Sequence, residues 1–460
     1  MLRISSRSEM KRAIHIISGK TFLYYLIGTL ALIAPALWIS FPLLFSDLGT
    51  YVSSGFYLIT PRDRPISYGI LLRLFSLNGY FIWGMLLMQA GALLWTMKLF
   101  AEKFFPAIKT IRLLVIIVLL SLLSSVSWRT SELLPDILSP VCFLLLLSLI
   151  FKRKSLTKRE AIAAFVIYFC FNSTHLAHLS VHVILLIALL PFYFWAKKKV
   201  SFSISSWLIL FLCTFNLILI SGAAIAKSRH ILQMSGLVEN GVLNEYLKNE
   251  CPKHNYKICD FADTIAHMNG GQFIWSKNSP VDATGDWPSH AAEYNAIIRD
   301  IFFTPKYLKI FLVNSWSKTW NQFFGFDIGY GNDSYKKGSR PYDVIVQYMP
   351  SQFSQMVSAR QYLGKLDFSF WRILHRWVFY AVSALLLIFV FLFKKSFEWR
   401  LFTAALFFLL VINAWTVTTF SCFNDRYQSK YTWLVVFFFF LFLTDVMLSR
   451  FKKNNIFTPQ

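Results

Sequence analysis

The chain has 460 residues, of which 56% are hydrophobic and only 15% charged, where a soluble globular protein carries roughly a quarter charged residues. That balance excludes an ordinary water-soluble domain and places the chain in a membrane. The formal net charge of +23 would suggest nucleic acid in a soluble protein; here the Lys and Arg residues cluster in alternate connections between apolar runs, so they report topology and imply no nucleic-acid partner.

Runs such as Phe22 to Phe45 and Trp207 to Ala226 approach the roughly 20 apolar residues that cross a bilayer core as helix, and they lack the alternation of barrel strands. The stretch "FPLLFSD" offers no small-residue cleavage pattern, so the first run reads as a retained helix, with a signal-anchor left open for it alone. The expectation is an all-α polytopic membrane protein of about ten transmembrane helices. The spans are placed near 22–45, 79–97, 112–128, 137–151, 160–176, 180–196, 207–226, 377–393, 401–420 and 432–449.

Basic clusters mark one side. They are Arg3, Arg7, Lys11, Arg12 and Lys20; Lys98, Lys103, Lys109 and Arg112; Lys152 to Lys154 with Lys158 and Arg159; Lys197 to Lys199; Lys394, Lys395 and Arg400; and Arg450, Lys452 and Lys453. By the positive-inside rule this side and both termini are cytoplasmic. Residues 1–226 then form an N-terminal transmembrane module with a long first outer loop, 46–78. Residues 227–376, between the seventh and eighth spans, form a mostly helical or irregular extracytoplasmic domain, and 377–460 a C-terminal transmembrane module.

Parity puts most of the distinctive ionisable residues on the outer face: Asp47, Arg62, Arg64 and Arg73 in or beside the first loop, then Arg129, Glu132 and Asp136 on "SWRTSELLPD". His175, His178 and His182 follow on "FNSTHLAHLS", and Asp425, Arg426 and Lys430 lie near the last span. Each has a structural reading: Asp47 as a helix cap, Arg62 and Arg64 snorkelling to headgroups, Glu132 and Asp136 on a solvated turn, the histidines on an interfacial face. The functional reading draws on the first loop, longer than two neighbouring spans require, where Arg62, Arg64 and Arg73 beside aromatics such as Tyr51 suit a lipid phosphate.

In the long outer segment, "ECPKHNYKICDF" places Cys251 and Cys259 in an oxidising compartment, where a small disulfide loop is the economical reading. A zinc site recruiting His254 and His267 is the alternative. Cys142, Cys170 and Cys213 lie in spans as packing residues. Residues 287–326 show helical periodicity broken at Pro305, with Phe302, Phe303, Tyr307, Phe311, Trp316, Trp320 and Phe323 as an aromatic stripe, either interfacial or a domain core.

A carboxylate directly after the first span, a long amphipathic first outer loop, many spans and a soluble outer portion together resemble the GT-C superfamily of polyprenyl-phosphate-sugar-dependent membrane glycosyltransferases. "FNDRYQSKYTWLV", with Asp425, Arg426 and Tyr427, looks like the Arg-Tyr segment those proteins carry before their final span, and "SELLPDILSPV" like their second acidic outer loop. The likeness covers roughly the first third of the chain and its C-terminal end. Asp47 is followed by Leu48 where many members carry an Asp-Glu pair, and the Trp-Trp-Asp hallmark of oligosaccharyltransferases is absent.

The resemblance implies inverting sugar transfer from a polyprenyl-phosphate donor to an extracytoplasmic lipid, glycan or protein acceptor, at a bacterial inner membrane. Asp47 would be the base or acceptor-orienting group, its pKa raised by partial desolvation. Glu132 and Asp136 would be second acidic groups, Arg62, Arg64, Arg129 and Arg426 donor-phosphate ligands, and Tyr51, His175, His178, Asp425 and Tyr427 further outer-face candidates. No cofactor is required by this reading, and a divalent metal is left open. Two alternatives stand: a polysaccharide polymerase or ligase using a lipid-diphosphate-linked oligosaccharide through Arg299, His290 or Arg340, and a transporter or lipid flippase.

Overall fold

The computed structural model describes residues 19–196, 200–226, 228–392 and 397–454. The basic positions Arg3 to Arg12, Lys197 to Lys199, Lys227, Lys394 and Lys395 lie outside the described residues. Within them the chain is helical, with no strand and one isolated parallel bridge, Leu43 to Glu132.

Six helices are long and apolar enough to cross a membrane: α5 (Trp83–Phe104), α10 (Leu176–Ala196), α11 (Ile204–Ala224), α18 (Ser369–Leu392), α19 (Phe397–Phe420) and α20 (Asp425–Asn454). Shorter apolar helices α6 (Thr110–Leu123) and α8 (Leu138–Phe151) pack among them, and α9 (Lys158–Asn172) lies against α8. The chain is therefore a multi-pass membrane protein, and the bilayer is its solvent along these helices.

The first expected span is not one helix to residue 45. It divides into α1 (Gly19–Leu32) and α2 (Ala34–Ile39), with Pro35 at the start of α2, and stops at Ser40, whose φ of 71° is left-handed. Pro42 lacks the N–H a continuing helix needs, so the chain leaves extended. The segment expected to be the first outer loop is itself a helical hairpin, α3 (Leu48–Tyr57) and α4 (Ser67–Phe75). Its two helices touch at glycines: a Cβ on Gly55 would stand 2.1 Å from the Gly69 carbonyl oxygen, so only glycine permits this approach. The expected tip "SWRTSELLPD" is not a solvated turn, because α7 (Val126–Thr130) and the residues to Asp136 are buried.

The long segment after α11 contributes to two cores. Helices α12 (Arg229–Glu239), α13 (Val242–Glu250), α14 (Gly270–Trp275), α15 (Ala291–Phe303) and the first part of α16 (Pro305–Phe324) surround their own apolar cluster from Ile231 to Phe311. Residues from Phe323 to Phe368, including α17 (Arg340–Tyr348), join the main core against α3. The aromatic stripe of α16 splits accordingly: Tyr307, Phe311 and Phe323 point inward, while Phe303, Trp316 and Trp320 are exposed. Cys251 and Cys259 are disulfide-bonded, which removes them as zinc ligands. Both should resist maleimide until the protein is reduced, checked by mass spectrometry; labelling of native Cys251 would contradict the bond.

Candidate functional site

Crossing backbone contacts build the site. Leu43 N–H donates to Ser131 O at 2.9 Å and Leu133 N–H to Leu43 O at 3.1 Å, fixing the segment before Asp47 beside the segment carrying Glu132 and Asp136. Gln361 clamps the next peptide, accepting from Leu44 N–H through Oε1 and donating to Leu44 O through Nε2, each at 2.9 Å, and Asn332 donates to Leu44 O at 3.1 Å. Gln89 donates to the carbonyls of Thr130 and Glu132 and accepts from Tyr68 OH. Losing the partner of a buried polar group costs about 1–3 kcal/mol, so this lattice holds Asp47 in register.

Asp47 precedes α3, and its side chain makes no capping hydrogen bond. Its carboxylate instead lies between two guanidinium groups: Oδ1 is 3.1 Å from Arg64 Nη1, and Oδ2 accepts from Arg426 Nη1 at 3.3 Å. Arg64 also donates to Asp63, at 3.0 Å from Nε and 2.6 Å from Nη2. Arg426 places Nε 3.4 Å from Asp136 Oδ2 and lies over the Phe45 ring at 4.1 Å. Arg426 thus reaches a carboxylate 379 positions away in sequence. The side chains of Arg426 and Asp136 are each 4% exposed while that of Asp47 is 21% exposed, so the cluster opens at Asp47.

Burial pushes the Asp47 carboxyl up, but Arg64 and then Arg426 outweigh it and bring its pKa to about 2. The expected upward shift is therefore corrected: desolvation is present, and two nearby cations win. For a lowered folded pKa, the stability contribution is complete above the ordinary carboxylate value and is lost as pH falls through about 2. Thermal-unfolding midpoints should fall more steeply for wild type than for Asp47→Asn between about pH 4 and pH 2; parallel curves would contradict the pairing.

The other expected residues divide. Arg129 and Glu132 form a buried ion pair at 2.7 Å, and Arg129 also donates to Asp327 O, so that guanidinium serves internal structure. Burial, opposed by Arg129 and reinforced by Asp136, pushes the Glu132 carboxyl up. Arg62 stacks on Trp287 at 4.3 Å, and Arg73 donates to Asn78 and to carbonyls of α3, so neither joins the Asp47 cluster. Tyr51 is buried under Arg64, its ring 4.8 Å from Tyr68 and its hydroxyl unpartnered. His175 lies close to the Asp47 cluster, and its ring is 5.4 Å from the ring of the buried His178. Tyr427 receives Arg426 on its face at 5.3 Å, whereas Asp425 lies among the charges of Asp327, Arg372 and Arg376.

Sequence reading passed over Gln361, Asn332 and Gln89, since isolated amides carry no pattern. His290, named for the polymerase reading, is held in the outer core by Val281 O at 2.9 Å and stacks on Tyr294. A cavity of about 470 Å³ lined by Thr264, His267, Gln272, Ser276 and Asn278 shares no lining residue with the Asp47 cluster. Among the described residues no three His, Cys, Asp or Glu side chains gather to hold a metal ion. No family model, curated protein or solved structure matches the chain.

Proposed function

We propose that the chain is a GT-C-like membrane glycosyltransferase that moves a sugar from a polyprenyl-phosphate donor to an extracytoplasmic lipid, glycan or protein. The observation that carries this reading is the partly open Asp47 carboxylate between Arg64 and Arg426, at one end of a multi-pass helical bundle. A carboxylate can receive the proton of an acceptor hydroxyl as its oxygen attacks the anomeric carbon from the face opposite the phosphate. The new C–O bond forms as the bond to phosphate oxygen breaks, the electron pair leaves on phosphate, and guanidinium groups stabilise that charge.

The lowered pKa fits this chemistry in a defined way. With both cations on Asp47 the carboxylate is a weak base. A donor phosphate competing for Arg64 and Arg426 releases it, so basicity rises when substrate is bound. Either role, proton acceptor or acceptor-orienting group, belongs to Asp47. In this reading the protein sits in a bacterial inner membrane with about ten spans and cytoplasmic termini, and the Asp47 end faces outward.

Two experiments test the proposal. Purified protein should consume polyprenyl-monophosphate-linked sugar; consumption of diphosphate-linked oligosaccharide instead would favour the polymerase reading. Single cysteines at Ser46 and Lys337 should react with an impermeant maleimide from outside, and labelling only from the cytoplasmic side would overturn the topology.

A further inference from the structure

From Leu312 onward, helix α16 is inverted for a helix in water. Its outward face carries Leu312, Val313, Trp316, Trp320 and Phe324, all exposed, while Ser315, Thr319 and Gln322 on the opposite face are buried; Phe323 alone of the large apolar residues in this stretch turns inward. The Ser315 and Thr319 hydroxyls donate back to Leu312 O at 3.2 Å and Ser315 O at 2.7 Å, so the inner face is small, internally satisfied and packed on α19. A helix on a soluble domain turns its apolar side inward and its polar side out. Small residues at the helix contact and large apolar ones outside it are the pattern of helices packed in lipid. Soluble surfaces rarely leave so large a contiguous apolar patch without a partner.

The patch runs into the lipid-facing side of a spanning helix. Ring follows ring from Trp316 to Trp320 at 5.5 Å, to Phe324 at 6.4 Å, to Tyr380 of α18 at 6.3 Å and on to Trp377 at 6.4 Å. Trp377 is exposed, and so are Ile388 and Phe391 farther along α18, a helix whose solvent is the bilayer. Trp and Tyr near the end of a span sit at headgroup depth. The charges of α16 leave this face clear: Lys306 and Lys309 stand at the helix start, Lys306 beside Glu245 at 3.6 Å, and Lys318 reaches back to Glu239 of α12 at 3.7 Å. Ser317 and Asn321, exposed on one flank, supply the polar edge that an interfacial helix keeps toward water.

We infer that the face of α16 from Leu312 to Phe324 is seated in the headgroup–acyl boundary of the bilayer, at the end of the bundle that holds Asp47. At 1.5 Å per residue these two positions lie about 18 Å apart along the axis, so the contact is a line and not a point. The phospholipid layer is the occupant because the aromatic path is continuous with the α18 surface that lipid already covers. This seat is independent of what the protein catalyses. It bears on the Asp47 cluster through Gln322, on the inner face of the same helix, which donates from Nε2 to Asn424 O and accepts from Asn424 N–H through Oε1, each at 2.9 Å. Asn424 stands two residues before Arg426, so the helix seated in lipid also clamps the turn that delivers Arg426 to Asp47.

Photo-labelling from the lipid tests this on the wild-type full-length protein, held as single copies in phosphatidylcholine nanodiscs that contain a phosphatidylcholine with a diazirine near the carbonyl end of one acyl chain. Light couples that lipid to the side chains it touches, and tandem mass spectrometry locates the adducts. Adducts are expected at Trp316, Trp320 and Phe324 together with Trp377, and none on the exposed loop from Pro252 to Asn255. The double variant Trp316→Glu, Trp320→Glu should lose the adducts between Leu312 and Phe324 and keep those on Trp377, because a charged face leaves the acyl boundary. Adducts on Trp377 with none on α16 in wild type would overturn the inference, as would undiminished labelling of α16 in a folded double variant. Labelling of α16 that vanishes when two copies share a disc would assign the face to a second copy of the chain, and so also overturn the lipid seat.

Discussion

Asp47→Asn is expected to lower sugar transfer by about 100- to 10,000-fold, the range typical of a lost general acid or base, with membrane abundance near wild type. The substitution keeps the side chain's shape and one oxygen acceptor but removes the negative charge that receives a proton. Because Asp47 is partly exposed and Arg426 retains Asp136, the fold keeps most of its local charge balance. Asp47→Glu should retain a carboxylate but displace it by one methylene, giving intermediate activity. An assay of polyprenyl phosphate released per protein, normalised to membrane content, reads both variants. Full activity in Asp47→Asn would end the assignment.

Arg426→Met should have the largest effect on stability, costing about 3–5 kcal/mol, as expected when one member of a buried ion cluster is removed. It leaves Asp136 buried without its close cation and Asp47 with Arg64 alone. The methyl-terminated side chain preserves packing over Phe45 but makes neither ion pair. Adding Asp136→Asn should recover part of the loss, because the stranded charge disappears with its partner. Unfolding midpoints for the two single variants and the double variant check this. Strict additivity would show that Arg426 and Asp136 do not act together.

The sequence made the helical bundle legible because lipid imposes a simple rule: a helix satisfies its backbone internally, so apolar runs mark helices. It failed at Pro35 and Pro42, where an apolar run that looked continuous breaks and leaves residues 41–45 outside any helix before the turn at Asp47. The outer tips looked like solvated hairpins because short polar stretches usually are; here Arg129, Glu132 and Asp136 are buried and carry internal pairs. Asp47, Arg64, Asp136 and Arg426 were each visible as ionisable residues at span ends. Which of them touch was not, since Arg426 reaches Asp47 only through the tertiary fold, and Arg62 and Arg73 in the same loop turn elsewhere. The direction of the Asp47 shift followed from that pairing, not from desolvation alone.

The exposed stripe on α16 illustrates the same limit. Its aromatics recur with helical spacing, yet Tyr307, Phe311 and Phe323 pack inward while Trp316 and Trp320 face out, so one pattern served two surfaces. Periodicity finds the helix; the neighbours decide what each face meets.

An experimental structure in a lipid nanodisc with a slowly reacting polyprenyl-phosphate sugar would test the account most directly. The expected result is the sugar's anomeric carbon at the open side of Asp47, with room for an acceptor oxygen within about 3–3.5 Å, and the phosphate against Arg426. Density for the sugar on the outer helical core around His290, with Asp47 still closed between its two arginines, would contradict it.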